Sequence, residues 1–403
     1  MSASASRRGR TIIHLDLDAF FCSVEEQRDA SLRGKPFAVG GRPEARGVVS
    51  SCSYAARQFG VHSAMPMAQA LRLCPQLLVV PPDFTSYRAA SQAVMARLHA
   101  LTELVEQISI DEAFVDVSTL PEDGMTLARR LQQQIRSELD LSCSIGVASN
   151  KLVAKVATDV GKAAARTGRS PEAICVVPPG TEAAFLAPLP ALALWGVGPR
   201  TAERLAQRGM HTIGDLAACA PTELEYLFGK HGADLAQRAR GIDERPITTV
   251  REAKSISQET TFSRDVNDRA RLEHTLRNQA SQVAARLRKK GLSAGTVKVK
   301  IRWPDFSTPT RQLTLAQPTD RDEELAEAAV RLLDQVWQAP QAVRLLGMGV
   351  SGLSAQPRQL TLWDARPVHP EREQRLRAAL NAVESRFGPN LLRRASELGD
   401  DEA

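Results

Sequence analysis

The sequence has few features that would tie the protein to a membrane or to an oxidising compartment. Its 403 residues contain no uninterrupted apolar run of about 18 residues, so no transmembrane helix is predicted. Residues 1–10 are rich in Ser and Arg, and Asp16 and Asp18 interrupt the apolar stretch that follows, so no signal peptide is predicted. The 6 cysteines are scattered without a Cys-x-x-Cys pair, which argues against a zinc site and against a disulfide framework. Together these absences predict a cytoplasmic protein whose thiols are free and mostly buried.

What the chain does have is a surplus of basic residues in one segment. The net charge is +6, yet residues 251–311 alone hold 14 Lys and Arg against 6 Asp and Glu, so the remainder is slightly acidic. A surplus confined to one segment is typical of a nucleic-acid-binding module. The alternative is a solvated helix face, but the surplus spans several predicted elements. The candidate phosphate contacts in this segment are Arg251, Lys254, Lys298, Lys300 and Arg302.

The N-terminal half mixes predicted strands with predicted helices. The candidate strands are residues 11–18, 104–108, 113–117 and 143–148, and the candidate helices are residues 85–101, 126–139 and 151–160. This mixture predicts an α+β domain built from residues 1–19 and 83–169. Residues 20–82 read as an insertion that contains two or three short strands, among them 36–40 and 47–51, and a helix from residue 65.

The C-terminal half divides into four parts. Residues 170–241 are predicted to be all helical, and Gly196 and Gly198 lie in a segment that resembles a helix-hairpin-helix. Two glycines let such a turn approach a phosphate, although a tight turn between packed helices is the alternative. Residues 242–250 form a polar linker, residues 251–354 have the βαββαβ order of a ferredoxin-like domain, and residues 355–403 form a tail.

Two adjacent carboxylates, Asp111 and Glu112, stand between two short predicted strands. Neighbouring residues of a regular strand point to opposite faces, so both side chains can reach one target only where the backbone turns. Paired acids are costly to bring together unless a cation separates them, so this pair favours a metal site. Taken alone, an acidic turn on the surface is the simpler interpretation.

A second motif changes this interpretation. The segments HLDLDAFFCSVEE, which contains Asp16, and ISIDEAFVDV, which contains Asp111 and Glu112, together resemble the Y-family DNA polymerases, and most closely their bacterial DinB (DNA polymerase IV) branch. The resemblance spans about residues 11–363. It implies a right-hand polymerase with a palm (1–19 and 83–169), small fingers (20–82), an all-helical thumb (170–241) and a ferredoxin-like little finger (251–354).

The resemblance also implies a function. The expected activity is template-directed, low-fidelity synthesis past damaged bases, in which a monomer adds dNTPs to a primer on a DNA template. A non-catalytic accessory protein that binds DNA and the sliding clamp is the alternative, because some relatives have lost the acidic residues. All three acids are present here, which argues against that alternative.

The family's site residues map onto this sequence position by position. The implied catalytic residues and ligands of two Mg²⁺ ions are Asp16, Asp111 and Glu112, with the main-chain carbonyl of Leu17 as a further ligand. Asp18 and Asp116 fall outside this set, and Asp18 is interpreted as structural.

Four further residues match the nucleotide-binding positions of the family. Tyr54, Arg57 and Lys162 are implied to bind the triphosphate, although Ala163 to Arg166 replace the Pro-Asn-Gly that often follows the lysine in this family. Phe21 matches the steric gate, the ring that excludes a 2′-hydroxyl. Phe20 is interpreted as a core aromatic.

The tail contains a segment that resembles a sliding-clamp-binding motif. Its candidate contacts are Gln359, Leu360, Leu362 and Trp363. Leucine and tryptophan side chains would fill an apolar cleft on the clamp while the glutamine fixes the orientation. The alternative is a tail strand that packs on its own domain. Trp363 stands where Phe is more usual, and about forty residues follow the motif.

Overall fold

The computed structural model describes residues 9–165 and 168–355, together with the single residue 379. In that part of the chain the strands are β1 (Ile12–Leu17), β2 (Phe37–Gly40), β3 (Val49–Cys52), β4 (Leu78–Val80), β5 (Val105–Gln107), β6 (Glu112–Asp116), β7 (Cys143–Ala148), β8 (Ile174–Val176), β9 (Ser255–Val266), β10 (Ser293–Arg302), β11 (Thr310–Thr319) and β12 (Val343–Ser354). The α-helices are α1 (Phe20–Arg28), α2 (Tyr54–Arg57), α3 (Met67–Leu73), α4 (Phe84–His99), α5 (Gly124–Leu139), α6 (Lys151–Ala164), α7 (Glu182–Leu186), α8 (Pro199–Ala206), α9 (Ile213–Ala218), α10 (Pro221–Phe228), α11 (Lys230–Ala239), α12 (Arg269–Lys289) and α13 (Asp322–Asp334).

The palm is a five-stranded mixed sheet in the order β5-β6-β1-β7-β8. β1 lies at its centre, antiparallel to both β6 and β7, while β8 runs parallel to β7. Successive residues of β1 enter different cores because side chains alternate across a sheet. Ile13 and Leu15 pack with α4 and α5 on one face, and Ile12 packs with α6 on the other. The predicted α+β fold is confirmed, and the central strand carries Asp16 near its end.

The strand β8 was not predicted from the sequence. It is only three residues long and follows a proline-containing segment, so its local pattern is too short to indicate a strand. Its hydrogen bonds come from β7, which is distant in sequence, and Val177 N–H extends the pairing by donating to the Val147 carbonyl at 2.8 Å. Residues 174–176 therefore form a strand because they pair with β7, and not because of their local sequence pattern.

The fingers contain a three-stranded sheet in the order β3-β2-β4 with its own apolar core. The two strands predicted in this region correspond to β2 and β3, and β4 adds a parallel edge. Ser53 begins α2 by accepting a hydrogen bond from the Ala56 N–H at 3.2 Å, which is a normal N-cap interaction. This cap places Tyr54 and Arg57 at the boundary with the palm.

The thumb is helical, as predicted, and consists of α7 to α11 around the core that also covers one face of the palm sheet. The predicted start of the thumb at residue 170 is wrong, because residues 174–176 form β8 of the palm sheet. Gly196 has a φ of +96°, a left-handed value that favours glycine, and Gly198 is the N-cap of α8. The two glycines therefore form the turn of the predicted hairpin.

The little finger is an antiparallel sheet in the order β11-β10-β12-β9 with α12 and α13 packed on one face. Each strand-helix-strand unit is split, because β12 lies between β9 and β10, and β10 lies between β11 and β12. The predicted βαββαβ domain is confirmed. On β10, Val297, Val299 and Ile301 enter the core. The side chains between them therefore point away from the helices.

The linker between thumb and little finger is held against the palm by hydrogen bonds. The Asp243 carboxylate accepts the Leu152 N–H at 3.0 Å, and the Lys151 ammonium donates to the Pro246 carbonyl at 2.8 Å. Glu106 accepts from both Lys151 and the Thr248 N–H at 2.8 Å. These contacts fix where the little finger begins relative to the palm. In the described part of the chain, no helix is long and apolar enough to cross a membrane.

Candidate active site

The register of two palm strands brings the predicted acids together. Asp16 on β1 is the direct antiparallel partner of Glu112 on β6, and the Leu17 N–H donates to the Asp111 carbonyl at 3.0 Å. Residues directly opposite in such a pair have Cβ atoms about 4.5–5.5 Å apart. Asp16 and Glu112, which are 96 positions apart in sequence, are therefore neighbours at one edge of the palm.

Ser109 shapes the turn that presents Asp111 and Glu112. Its hydroxyl oxygen accepts the main-chain N–H groups of Asp111 and Glu112 at 3.2 and 2.9 Å, and the hydroxyl donates to the Asp111 carboxylate at 2.5 Å. This is the side-chain-to-backbone bonding by which serine stabilises turns. Ser109 was not predicted from the sequence as a site residue, although a serine two residues before the acid pair was the available signal.

Two lysines of α6 bind the acids. The Lys162 ammonium lies 2.7 Å from Asp16 and 3.2 Å from Asp18, and the Lys155 ammonium lies 2.8 Å from Glu112. Lysines seven residues apart project from the same side of a helix. Lys162 was predicted as a triphosphate contact and is close to the acids. Lys155 was not predicted, although its spacing from Lys162 was the signal.

Burial and like charge make this edge of the palm electrostatically strained. Burial raises the pKa of Asp16 to about 7 despite the opposing pull of Lys162, and the charges of Glu112 and Asp111 raise it further. Burial disfavours the charge on Lys162, but Asp16 and Asp18 outweigh that effect and hold the pKa of Lys162 above its usual value. The site therefore favours additional positive charge.

The donor set fits a hard divalent cation in its chemistry. Two carboxylates on adjacent strands, and that of Asp111 in the turn before β6, offer the oxygen ligands that Mg²⁺ prefers. In the described residues, however, the side chains do not form a ready-made cluster of three or more metal-binding groups. Asp16 and Glu112 instead form ion pairs with lysines. The ammonium groups of Lys162 and Lys155 supply the positive charge that balances these acids.

Asp18 acts as a structural anchor, in agreement with its interpretation from the sequence. It is fully buried and accepts hydrogen bonds from the Ser144 hydroxyl at 2.9 Å, the Ser170 hydroxyl at 3.2 Å and the Glu172 N–H at 3.1 Å. These contacts hold the segment after α6 against the end of β1. Asp116 is likewise occupied, because it accepts from the Ser118 N–H at 3.0 Å.

Phe21 belongs to an aromatic cluster beside β1. Its ring stacks on Tyr87 with centroids 4.3 Å apart and meets the edge of Phe84 at 6.0 Å. The Tyr87 hydroxyl donates to the buried Glu25 carboxylate at 2.5 Å. Phe21 remains partly exposed, whereas Phe20 is only 3% exposed. Tyr87 and Glu25 hold the Phe21 ring in place, and the sequence analysis assigned neither residue to the site.

Tyr54 and Arg57 lie together on α2. The Arg57 guanidinium sits 4.6 Å from the centroid of the Tyr54 ring, which is a cation–π arrangement. Burial raises the pKa of Tyr54 to about 12, and the nearby Asp18 carboxylate adds to this effect. The phenol therefore stays protonated and can donate a hydrogen bond to an anion.

The candidate DNA contacts lie apart from the acids. Lys298, Lys300 and Arg302 alternate along β10 on the side opposite the helices; Lys300 pairs with Glu259 at 2.8 Å and Arg302 donates to Thr308 at 3.0 Å. Arg251 and Lys254 are exposed in the segment before β9. The four clamp-motif residues, Gln359, Leu360, Leu362 and Trp363, lie outside the described residues.

Comparison with known proteins places the chain in a family. Residues 15–159 match the impB/mucB/samB family, residues 253–362 match the C-terminal domain of the same family, and residues 193–243 match the thumb domain of DNA polymerase-iota. A DNA polymerase IV of Streptomyces coelicolor is 45% identical over 86% of this chain and 72% of that protein. A DNA polymerase IV of Dehalococcoides mccartyi is 39% identical over 94% of this chain and 95% of that protein.

The chain belongs to the Y family of DNA polymerases. Solved structures agree with this assignment. A Y-family DNA polymerase chimera of Dbh and Dpo4 matches with a TM-score of 0.77 and 25% identity over 86% of this chain and 100% of that chain. An insertion ternary complex of Dbh DNA polymerase matches with a TM-score of 0.60 and 25% identity, covering 85% of this chain and 98% of that chain. As a Y-family polymerase, the chain is a DNA-directed DNA polymerase, and polymerases of this family use divalent metal ions.

Proposed function

We propose that this Y-family polymerase extends a primer on damaged and undamaged DNA templates by adding one dNTP at a time at the palm edge formed by β1 and β6. One observation carries the proposal: the strand register that sets Asp16 opposite Glu112, with Asp111 hydrogen-bonded to Leu17. A non-catalytic accessory role is not favoured, because it would not require these acids to be brought together.

The reaction joins the primer 3′ oxygen to the α-phosphorus of the nucleotide and breaks the bond to pyrophosphate. Asp16, Asp111, Glu112 and the carbonyl of Leu17 would hold two Mg²⁺ ions, which, when bound, stabilise negative charge on the attacking and leaving oxygens. Ser109 holds the main chain of the acid pair, which fixes the point from which each of the two side chains extends.

The chain's own cations would receive the triphosphate. Lys162 lies beside Asp16, and Arg57 and Tyr54 face the same region from the fingers. An ammonium, a guanidinium and a phenol supply donors of the kind that phosphate oxygens accept. Phe21 would lie under the sugar, where its ring leaves no space for a 2′-hydroxyl. Lys155 would keep Glu112 oriented until the substrate arrives.

Primer extension on an intact template and on one with an abasic site tests the proposal directly. We expect nucleotide addition on both templates, with frequent misinsertion, as the family resemblance implies. If extension always stops at the abasic site, the translesion part of the proposal is wrong. Absence of extension on the intact template would remove all of it.

The little finger is proposed to bind the template–primer duplex through the outward face of β10. Replacing Lys298 and Arg302 together with alanine is expected to weaken DNA binding and to flatten its salt dependence. Each lost phosphate contact should change the log–log salt slope by about 0.9. Fluorescence anisotropy over a series of salt concentrations measures both quantities.

The matched control for this prediction is Arg331→Ala. Arg331 is an exposed arginine of α13, on the helical side of the same domain. It should leave affinity and slope unchanged. Equal effects from the two changes, or none from the β10 pair, would show that the duplex does not contact this face.

The tail motif is proposed to bind the sliding clamp. Deleting residues 359–363 is expected to abolish stimulation of synthesis by the clamp, measured as the ratio of product formed with and without clamp. Capture of the clamp by the deletion variant at wild-type strength would place the contact elsewhere.

We further propose that the polymerase acts as a monomer in the cytoplasm, where the DNA of its bacterial relatives lies.

A further inference from the structure

A cleft of about 600 Å³ lies next to the proposed nucleotide site, between the fingers and the palm. It is lined by parts of α1 and α2, the end of α5 and residues 168–172. Ala19 and Tyr54 are among its lining residues, so the cleft reaches one of the residues proposed to bind the triphosphate. Asp16, Asp111 and Glu112 are not among its lining residues. The cleft is therefore adjacent to the catalytic edge and separate from it.

Two sets of charged groups in the cleft differ in their pairing, and Glu26 is a further carboxylate of the lining that belongs to neither set. One set is a chain of ion pairs in which Asp140 lies 3.2 Å from Arg33 and 3.6 Å from Arg136, while Arg136 lies 3.8 Å from Glu172. The other set is Lys35 and Arg169, which form no ion pair within the described residues. Lys35 comes from the fingers and Arg169 from the palm. Two cations thus remain available in the cleft.

The segment that carries Arg169 is anchored to the palm by hydrogen bonds. Ser170 and Glu172, on either side of residue 171, both donate to the buried Asp18 carboxylate, at 3.2 and 3.1 Å. Gly168, with a φ of +69°, contacts the Gln58 side chain of the fingers so closely that a Cβ atom would clash. Arg169 is therefore positioned between an anchor in the palm and a contact in the fingers.

The lining offers little apolar surface to a nucleoside base. Apart from Tyr54, its non-polar side chains are Ala19, Cys22 and Ala55, which offer no surface on which a base could stack. A small, highly charged anion fits better, because it needs cations and hydroxyl donors and no apolar slot.

We propose that this cleft binds pyrophosphate as it leaves the active site, with Lys35 and Arg169 as its cationic contacts. The inference rests on the proposed function, whose reaction releases pyrophosphate beside Tyr54. The bond between the α-phosphorus and the bridging oxygen breaks, the electron pair stays on the pyrophosphate, and the anion passes Tyr54 into the cleft. Because Arg57 and Lys162 do not line this cleft, Lys35 and Arg169 are expected to act on the product more than on the substrate.

The double variant Lys35→Ala, Arg169→Ala tests this assignment. The inhibition constant of inorganic pyrophosphate against dNTP addition should rise about tenfold, as expected for losing roughly 1.4 kcal/mol of charged contacts. The KM for dNTP should change by less than about threefold, and pyrophosphorolysis should slow in parallel with the weaker pyrophosphate binding. Arg129→Ala, an exposed arginine of α5 outside the cleft, is the matched control and should leave all three quantities unchanged.

Calorimetric titration of the wild type and the double variant with pyrophosphate separates this proposal from the proposed function. If binding to the double variant is weaker by about tenfold, the cleft is an anion site whatever the polymerase assay shows. If pyrophosphate binds and inhibits both proteins equally while dNTP addition proceeds normally, the exit-site proposal is wrong and the polymerase function stands. A parallel rise in the inhibition constant and in the KM for dNTP would also overturn it, because the residues would then act on the triphosphate.

Discussion

Replacing Phe21 with alanine is expected to raise ribonucleotide incorporation by about 100-fold or more, with a smaller loss for deoxynucleotides. The ring stacks on Tyr87 at 4.3 Å and meets Phe84 at 6.0 Å, so it cannot move aside to admit a 2′-hydroxyl. A steric clash of several kcal/mol corresponds to orders of magnitude, since each 1.4 kcal/mol or so is about tenfold. The measurement is the ratio of kcat/KM for dNTP to that for NTP, in wild type and variant.

Phe20→Ala is the control for this prediction. Phe20 is 3% exposed, so its truncation should lower stability by about 3–5 kcal/mol without relaxing the choice of sugar. Thermal unfolding and the same kinetic ratio distinguish the two roles. If Phe21→Ala keeps the wild-type ratio of kcat/KM for dNTP to that for NTP, or if Phe20→Ala lowers this ratio, Phe21 is not the steric gate.

Replacing either Asp111 or Glu112 with alanine is expected to abolish nucleotide addition while DNA binding survives. Both acids lie at the palm edge, away from the basic face of β10, so their loss removes cation ligands without removing phosphate contacts. Single-nucleotide addition and fluorescence anisotropy on the same preparations measure the two properties. Addition near the wild-type rate in either variant would contradict the assignment of the acids.

Asp159→Ala is a matched control for Glu112→Ala. Asp159 is the other acid near Lys155, with a separation of 3.9 Å, but it projects from α6 and is about half exposed. Its removal perturbs the same lysine without touching the proposed cation ligands. We therefore expect Asp159→Ala to retain most of the wild-type rate. A loss as large as that of Glu112→Ala would indicate that the effect arises through Lys155.

The parts of the fold that depend on local pattern were predictable from the sequence. The alternation in β10 and the long helical spacing of α12 are encoded in neighbouring residues, so the little finger could be predicted element by element. The same holds for the strand that carries Asp16, whose apolar run ends where the acids begin. Asp16 and Glu112 face one another because of the register between two strands that are distant in sequence. Only the family resemblance predicted that these two acids lie together.

The parts that sequence reasoning missed depend on contacts between distant segments. Lys155 gains its role because α6 crosses the edge where β6 begins, and Tyr87 gains its role because α4 packs under Phe21. A tyrosine at helical spacing looks like any core residue until its neighbour is known. The cleft next to Tyr54 likewise exists because Asp18 holds the segment after α6 near the fingers. Such arrangements follow from tertiary packing and leave no local signal.

The central claim, that the palm edge copies DNA, is tested most directly by offering each dNTP separately to four primer–templates that differ only in the templating base. The account predicts that the wild-type protein adds the complementary nucleotide fastest on each template, and that Asp111→Ala adds none on any of them. Addition that ignores the templating base, or equal addition by the wild type and the Asp111→Ala variant, would contradict the account.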